Sequence, residues 1–222
     1  MIIKKISVNN FANFQGKHVF DLQRGLNIIV GPGMSGKTNL AKAFKFAVLG
    51  QICRPRNELI NIQHRQECHE KSESPFCRVE IEIQHKSVDY LVQSELSLVR
   101  GKEISQSWTS DLEIDQIITS ETFKQLYLHS LSSIFKGGTP TNLSTAEYMM
   151  QTIIKHLQLK AEPNIKTVIL DGIFSHMGSE RKKMLLDYVV SSRLEQTIIL
   201  EKYLCPELEV YPFTLHNLTL SR

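Results

Sequence analysis

The segment Gly31-Pro32-Gly33-Met34-Ser35-Gly36-Lys37-Thr38 constrains this chain more than any other stretch of it. Before it, Leu26-Asn27-Ile28-Ile29-Val30 is short, apolar and β-branched, the pattern of a buried strand. After it, Asn39 to Leu49 carries apolar residues at helical spacing, with Gly50 as a stop. Strand, glycine-rich loop and helix in that order surround a polyphosphate with backbone N–H groups and the positive end of a helix. Glycines allow the main chain to approach closely where a Cβ would collide. In such a loop Lys37 reaches the β- and γ-phosphates as a point charge, and the Thr38 hydroxyl ligates Mg²⁺. The expected nucleotide-binding residues are Gly31, Pro32, Gly33, Met34, Ser35, Gly36, Lys37, Thr38 and Asn39, and the expected ligand is a nucleoside triphosphate with Mg²⁺.

A length of 222 residues suits one α/β domain, or a domain with a modest second lobe, and can bury a core without disulfides or metals. The net charge of +3 is too small to argue for nucleic acid or against it. The longest apolar runs are strand-sized, so no membrane span is expected. Met1 to Ile6 alternates like a strand rather than a signal peptide, which predicts a cytoplasmic protein with Cys53, Cys68, Cys77 and Cys205 reduced. His64, Cys68, His69 and Cys77 lie near one another in sequence without any paired zinc spacing, and a polar loop is the expected reading.

Strands are expected at Ile2–Val8 and His18–Leu22, with a turn between them at residues 9–14. Residues 51–75 read as a polar, irregular, mobile loop. Val79-Glu80-Ile81-Glu82-Ile83 alternates, and Tyr90-Leu91-Val92 answers it across His85-Lys86-Ser87, predicting an antiparallel hairpin with one wet face. A weaker strand is expected through Leu96–Val99, and Trp108 as a loop aromatic. Ser120 is the expected cap of a helix running to about Leu131. Ser144-Thr145-Ala146-Glu147 has the capping-box pattern and opens a second helix ending near Leu159. Lys166–Asp171 reads as a strand, Glu180–Ser191 as a helix, Thr197–Leu200 as a strand, and Val210–Phe213 and Thr214–Leu220 as two closing strands.

Thr167-Val168-Ile169-Leu170-Asp171 is an apolar strand ending in a carboxylate, the placement by which P-loop ATPases hold Mg²⁺. Thr38 and Asp171 are therefore the expected metal residues. With this second feature the order of elements resembles the ATP-binding heads of SMC/RecF-like proteins, a branch of the ABC-type ATPases. The resemblance is carried by Ile3 to Phe14 as the opening strand and turn, by Gly25 to Gly31 with the loop, and by Leu170-Asp171-Gly172-Ile173-Phe174-Ser175-His176-Met177. It implies an α/β fold: an ABC-type P-loop NTPase head with a parallel core sheet, helices and an N-terminal antiparallel β-layer. The implied organisation is a single head over 1–222. Its antiparallel lobe is 1–25 and 76–107, its short helical segment 111–160, and its core 26–50 and 161–222.

The departures matter as much. Heads of this family follow the magnesium Asp with a Glu that polarises water, where this chain has Gly172. Their Leu-Ser-Gly-Gly signature is matched only by Leu143-Ser144-Thr145-Ala146, without the glycines. Leu128-His129-Ser130-Leu131 lacks the switch glutamine, and Glu201-Lys202 stand where a switch histidine is expected. About a dozen residues between Ser130 and Leu143 replace the long coiled coil.

The resemblance implies an ATP- and Mg²⁺-binding head that pairs with itself or with a related head in an ATP-dependent clamp. Hydrolysis is expected to be weak or partner-dependent, DNA is an expected partner of the process, and the membrane is not. Two other classes fit the phosphate loop: a P-loop kinase acting on a small molecule, and a regulatory protein-binding subunit with a vestigial site. The alternating hairpin has no place in the usual kinase topology, and no Asn-Lys-x-Asp segment supports a GTPase.

Overall fold

The computed structural model describes residues 1–50, 58–99, 103–109, 127–129, 144–159, 166–192 and 194–218. The chain divides into two compact units. A parallel unit comprises the described residues of Met1–Ile2, Gln23–Gly33 and Glu121–Leu218; an antiparallel unit comprises those of Ile3–Leu22 and Met34–Ser120.

The antiparallel unit is built on a five-stranded sheet in the order β2-β1-β4-β5-β6. Its strands are β1 (Ile2–Asn9), β2 (Lys17–Asp21), β4 (Phe76–His85), β5 (Val88–Val99) and β6 (Glu103–Thr109). The expected hairpin is present and longer than its alternating core. β4 buries Cys77, Val79, Ile81, Ile83 and His85 while the residues between them stay half exposed. Lys86 and Ser87 turn it, both with positive φ, the geometry of a two-residue hairpin loop matched to strand twist. Helix α1 (Lys37–Leu49) lies on this sheet, and the buried Ser94 hydroxyl on β5 donates to the Phe46 carbonyl at 3.0 Å.

The expectation of an irregular 51–75 loop does not hold where the structure describes it, because Ile62–Lys71 forms helix α2. Hydrophobic periodicity gave no sign of this helix, which buries only Cys68. What starts it is Asn61, a buried cap whose side chain accepts from the Gln63 and His64 N–H groups at 3.0 and 3.1 Å. The same side chain donates to the Ala12 carbonyl at 2.9 Å, tying the helix to the turn after β1. Asn61→Ala is expected to cost about 1–2 kcal/mol, as a cap loss with an added buried hydrogen bond. Urea denaturation reads this directly, and an unchanged midpoint would show that the cap does not hold α2.

The parallel unit carries a second five-stranded sheet, β10-β3-β9-β8-β7, in which every pairing is parallel. Its strands are β3 (Gly25–Val30), β7 (Tyr127–His129), β8 (Thr167–Asp171), β9 (Gln196–Glu201) and β10 (Phe213–Asn217). β8 and β9 are buried at every residue, and Val168-Ile169-Leu170 and Ile198-Ile199-Leu200 are the apolar runs of inner parallel strands. Helices α3 (Thr145–Leu159) and α4 (Ser179–Ser191) cover one face. There Ile153 and Leu157, and Leu185, Leu186 and Val189, pack on Leu26, Ile28, Val30, Val168, Leu170 and Ile199. A lone polar residue, Asn27, is fully buried in β3; its carboxamide closes the entry to the strand by donating to the Gln23 carbonyl at 2.7 Å and accepting from the Gln23 N–H at 2.8 Å.

Three further expectations are corrected. The helix placed from Ser120 to Leu131 is contradicted at Tyr127–His129, which pair with Ile169–Asp171 as β7; residues 120–126 lie outside the described residues. The closing pair of strands is one strand, β10, because Val210 to Pro212 form the turn that leads into it. Trp108 belongs to β6 rather than a loop, since β5 runs on to Val99 and pairs with a strand that weak alternation concealed.

Candidate functional site

The loop Gly31–Thr38, expected from sequence to take phosphates, begins where β3 ends. Val30 pairs with Glu201 at the carboxyl end of the sheet, and the Gly31 N–H donates to the Glu201 carbonyl at 3.1 Å. Ligands of parallel sheets gather outside these carboxyl ends, and the expected loop leaves from one of them. The chain passes into the antiparallel unit between Gly33 and Met34.

On that side the backbone is held in conformations that side chains resist. Met34 has φ 63° and Gly36 has φ 102°. Gly36 needs to be glycine for a reason inside the protein: a Cβ there would lie 2.9 Å from Cζ of Phe14. Phe14 is itself buried and sits edge-on to Phe20 and His18. Above it, Asn13 Nδ2 donates to the Met34 carbonyl at 2.9 Å, and the Asn39 carboxamide donates to Asn13 Oδ1. The turn after β1 thus cradles residues 34–39. Asn13 and Phe14 fall in the expected turn at residues 9–14, and nothing in their local pattern announces a contact with residues 34–39.

Helix α1 then starts at Lys37 with no side-chain cap and no acidic residue in its first turn. Its N-terminal N–H groups carry the helix's partial positive charge. Lys37 and Thr38 are half buried, Ser35 and Asn39 are buried, and Pro32, Gly33 and Met34 are exposed. Lys37 Nζ donates to Ser35 Oγ at 3.3 Å. A bare helix start, a lysine and a hydroxyl suit a polyphosphate, and the Thr38 hydroxyl and Asp171 carboxylate are hard oxygen donors of the kind Mg²⁺ takes.

Asp171 ends β8 as expected and is buried. Gly172 follows with φ 67°, a conformation that favours glycine, and its N–H donates to the Leu200 carbonyl at 2.8 Å. A 3₁₀ turn, Ile173–His176, continues from it. Leu143 lies outside the described residues. Ser144 caps α3 as the capping-box pattern requires: its Oγ donates to Glu147 at 2.7 Å, and the Glu147 N–H returns a bond at 3.3 Å. The Ser144 Oγ bond, a second bond to the same carboxylate from the Ser144 N–H at 2.9 Å, and Arg181 on the other Glu147 oxygen at 3.2 Å hold the Glu147 carboxyl below the usual carboxylate range.

In the sequence Glu201 is only a departure from the expected histidine. It is a buried carboxylate whose Oε1 accepts from the Phe174 N–H at 2.7 Å. Burial pushes its carboxyl up, with Asp171 adding to the shift, while the Phe174 and Lys202 N–H groups and Lys182 oppose it. Its only signal in sequence is one charge closing the apolar run Thr197-Ile198-Ile199-Leu200.

In the antiparallel unit the His64 and Cys68 side chains touch, with Sγ 3.5 Å from Nε2, and burial lowers the His64 pKa and raises that of Cys68. Among the described residues no three His, Cys, Asp or Glu side chains converge as a metal site, and no helix is long and apolar enough to cross a membrane.

Comparison with known proteins follows the same lines. Residues 5–203 match the family model described as AAA domain. A DNA double-strand break repair Rad50 ATPase of Thermoplasma acidophilum is 23% identical over 91% of this chain. One of Nanoarchaeum equitans is 40% identical over 50 residues, 22% of this chain. The chain accounts for 22% of the length of the first and 6% of the second. Among solved structures, the SMC head domain from Thermotoga maritima superposes with a TM-score of 0.67 at 16% identity, covering 100% of this chain and 96% of that one. An SMC head bound to the C-winged helix domain of ScpA gives 0.62 at 14% identity, covering 93% and 91%.

Proposed function

The chain belongs to the AAA-domain family, with the fold of an SMC-, RecF- and Rad50-like ABC-type ATPase head, and on that basis we propose that it binds ATP with Mg²⁺ and uses it as a clamp between two heads. The observation that carries the reading is the loop from Gly31 to Thr38. It leaves the carboxyl end of a parallel strand, is held left-handed at Met34 and Gly36, and runs into an uncapped helix start with Lys37 as its cation. In this proposal residues 31–39 take the phosphates, and Thr38 and Asp171 take the metal. The Ser144 end of α3 meets the nucleotide of a facing head, either a second copy or a relative. To do so Ser144 must turn its hydroxyl away from Glu147.

Gly172 offers no carboxylate after Asp171, so turnover is slow and assembly rather than rapid hydrolysis is the output. The printed names of the Rad50 relatives, DNA double-strand break repair ATPases, support a DNA-linked role such as repair. Size-exclusion chromatography with a non-hydrolysable ATP analogue and Mg²⁺ tests the clamp. Elution at twice the monomer mass with the analogue, and at the monomer mass without it, is the expected result. An elution volume indifferent to nucleotide, alone and mixed with a related head, would remove the clamp and leave the binding site.

A further inference from the structure

We propose that the amino end of the parallel sheet is a docking site for a short acidic peptide segment of a partner protein. An aliphatic side chain of that segment enters a pocket beside α4, and its carboxylates meet Arg24 and Lys166. The site lies at the opposite end of β3 from the Gly31–Thr38 loop, so it goes beyond the nucleotide reading and does not rest on it. Every residue in it belongs to the parallel unit.

The pocket has a volume of about 130 Å³ and opens between the end of α4 and the first residues of β3 and β9. Val189 and Val190 come from α4, Leu194 from the turn after it, Leu26 from β3, and Pro212 from the approach to β10. Gln196 also lines it, with its carboxamide already engaged. Nε2 donates to the Gln23 carbonyl at 3.0 Å, and Oε1 accepts from the Thr167 hydroxyl at 3.2 Å. The surface offered to an occupant is therefore mainly aliphatic. An apolar cavity of this size accepts a benzene-sized group, which is also the scale of a leucine side chain. One wall is fixed by the Tyr211 hydroxyl, which donates to Asp187 on α4 at 2.5 Å. Val190 at the pocket, and Val210 two residues before Pro212, are both more than half exposed. Covering such groups is favourable, and a molecule small enough to sit inside the pocket would leave them in water. A peptide that fills the pocket with one side chain and crosses the rim with its backbone covers both.

Charge decides what kind of peptide fits. Arg24 precedes the lining residue Gly25, and Glu195 stands between the lining residues Leu194 and Gln196. Glu195 holds Arg24 through Oε2 at 2.5 Å and Lys166 through Oε1 at 2.6 Å. The Glu195 and Gln196 N–H groups donate to the Lys166 carbonyl at 2.8 and 3.1 Å, which sets Lys166 beside the same strand start. Two cations thus share one carboxylate. The cations are the outer groups, with side chains 63% and 45% exposed against 30% for Glu195. An approaching partner meets them first, so acidic segments are attracted and basic ones repelled. Among the described residues none that lines the pocket is aromatic, so a nucleobase finds no ring to stack on and the acidic peptide is the better match.

Selection of a displayed library of random peptides on the immobilised full chain, without nucleotide, tests the site. The enriched sequences are expected to place Leu, Ile, Val or Met beside Asp or Glu. The leading peptide, made with a fluorophore, is then titrated into wild type, Arg24→Gln/Lys166→Gln and Val190→Asp. The glutamines keep donors for Glu195 and remove the charge, while Val190→Asp sets a carboxylate at the pocket. Each variant is expected to weaken binding by about 10-fold or more, with a thermal midpoint near that of wild type because these side chains are exposed. If one variant fails to fold, the other decides. No enrichment, a consensus without acidic residues, or a peptide that binds all three proteins alike overturns the proposal. A labelled oligothymidylate that binds wild type and is lost in Arg24→Gln/Lys166→Gln, with no peptide consensus, assigns the cations to nucleic acid and overturns it too. Because nucleotide is left out, a chain that fails to bind ATP leaves this test standing.

Discussion

Lys37→Ala is expected to weaken the proposed Mg-ATP binding by about 10- to 150-fold, the consequence of losing a charge-assisted hydrogen bond worth about 1.5–3 kcal/mol. Lys37 opens α1 at the end of the loop, where its ammonium adds to the partial charge of an uncapped helix start. In the proposed site both act on the same phosphates, so the loss is expected in affinity rather than in fold. A fluorescent ATP analogue titrated into wild type, Lys37→Ala and Lys183→Ala measures it. Lys183, exposed on α4, is expected to leave affinity unchanged. Equal affinity in all three proteins would place the nucleotide elsewhere or nowhere.

Gly36→Ala has the largest expected effect on stability. Two costs act at one position. A φ of 102° lies where an L side chain is strained, at about 1–3 kcal/mol. The added methyl would also come within 2.9 Å of Phe14 Cζ and 3.2 Å of its Cε2. Phe14 has nowhere to retreat, packed as it is against Phe20 at 6.2 Å and His18 at 5.3 Å, so overpacking adds about 1–3 kcal/mol. At about 2–4 °C per kcal/mol for a chain of this size, the thermal midpoint should fall by roughly 5–20 °C. Phe14→Leu in the Gly36→Ala background relieves the steric part and leaves the backbone part. The two substitutions are therefore expected to be less than additive. A midpoint unchanged by Gly36→Ala would mean the loop does not take the conformation described.

These two residues also mark what could be read from sequence. The loop itself was legible because its chemistry is local: eight consecutive residues with a strand before them and a helix after them. The hairpin of β4 and β5 was legible because one face is wet and alternation survives. Ser144 and Glu147 were legible because a capping box spans one helical turn. Failures came where structure depends on distant partners. β7 is three residues long and is a strand only because Ile169–Asp171 lie beside it. α2 has one buried residue and is defined by Asn61, whose carboxamide also answers the turn after β1. Asn13 and Phe14 support the phosphate loop across a gap in sequence that no periodicity bridges. Glu201 stands in the sequence only where a switch histidine is expected; its burial and the bond from the Phe174 N–H depend on the turn after β8.

A calorimetric titration of the purified wild-type chain with ATP in the presence of Mg²⁺ tests the central claim most directly. The account predicts saturable binding of one nucleotide per chain, lost on chelating the metal and weakened by Lys37→Ala. Heats no different from dilution, at chain concentrations where a micromolar affinity would be plain, would contradict it.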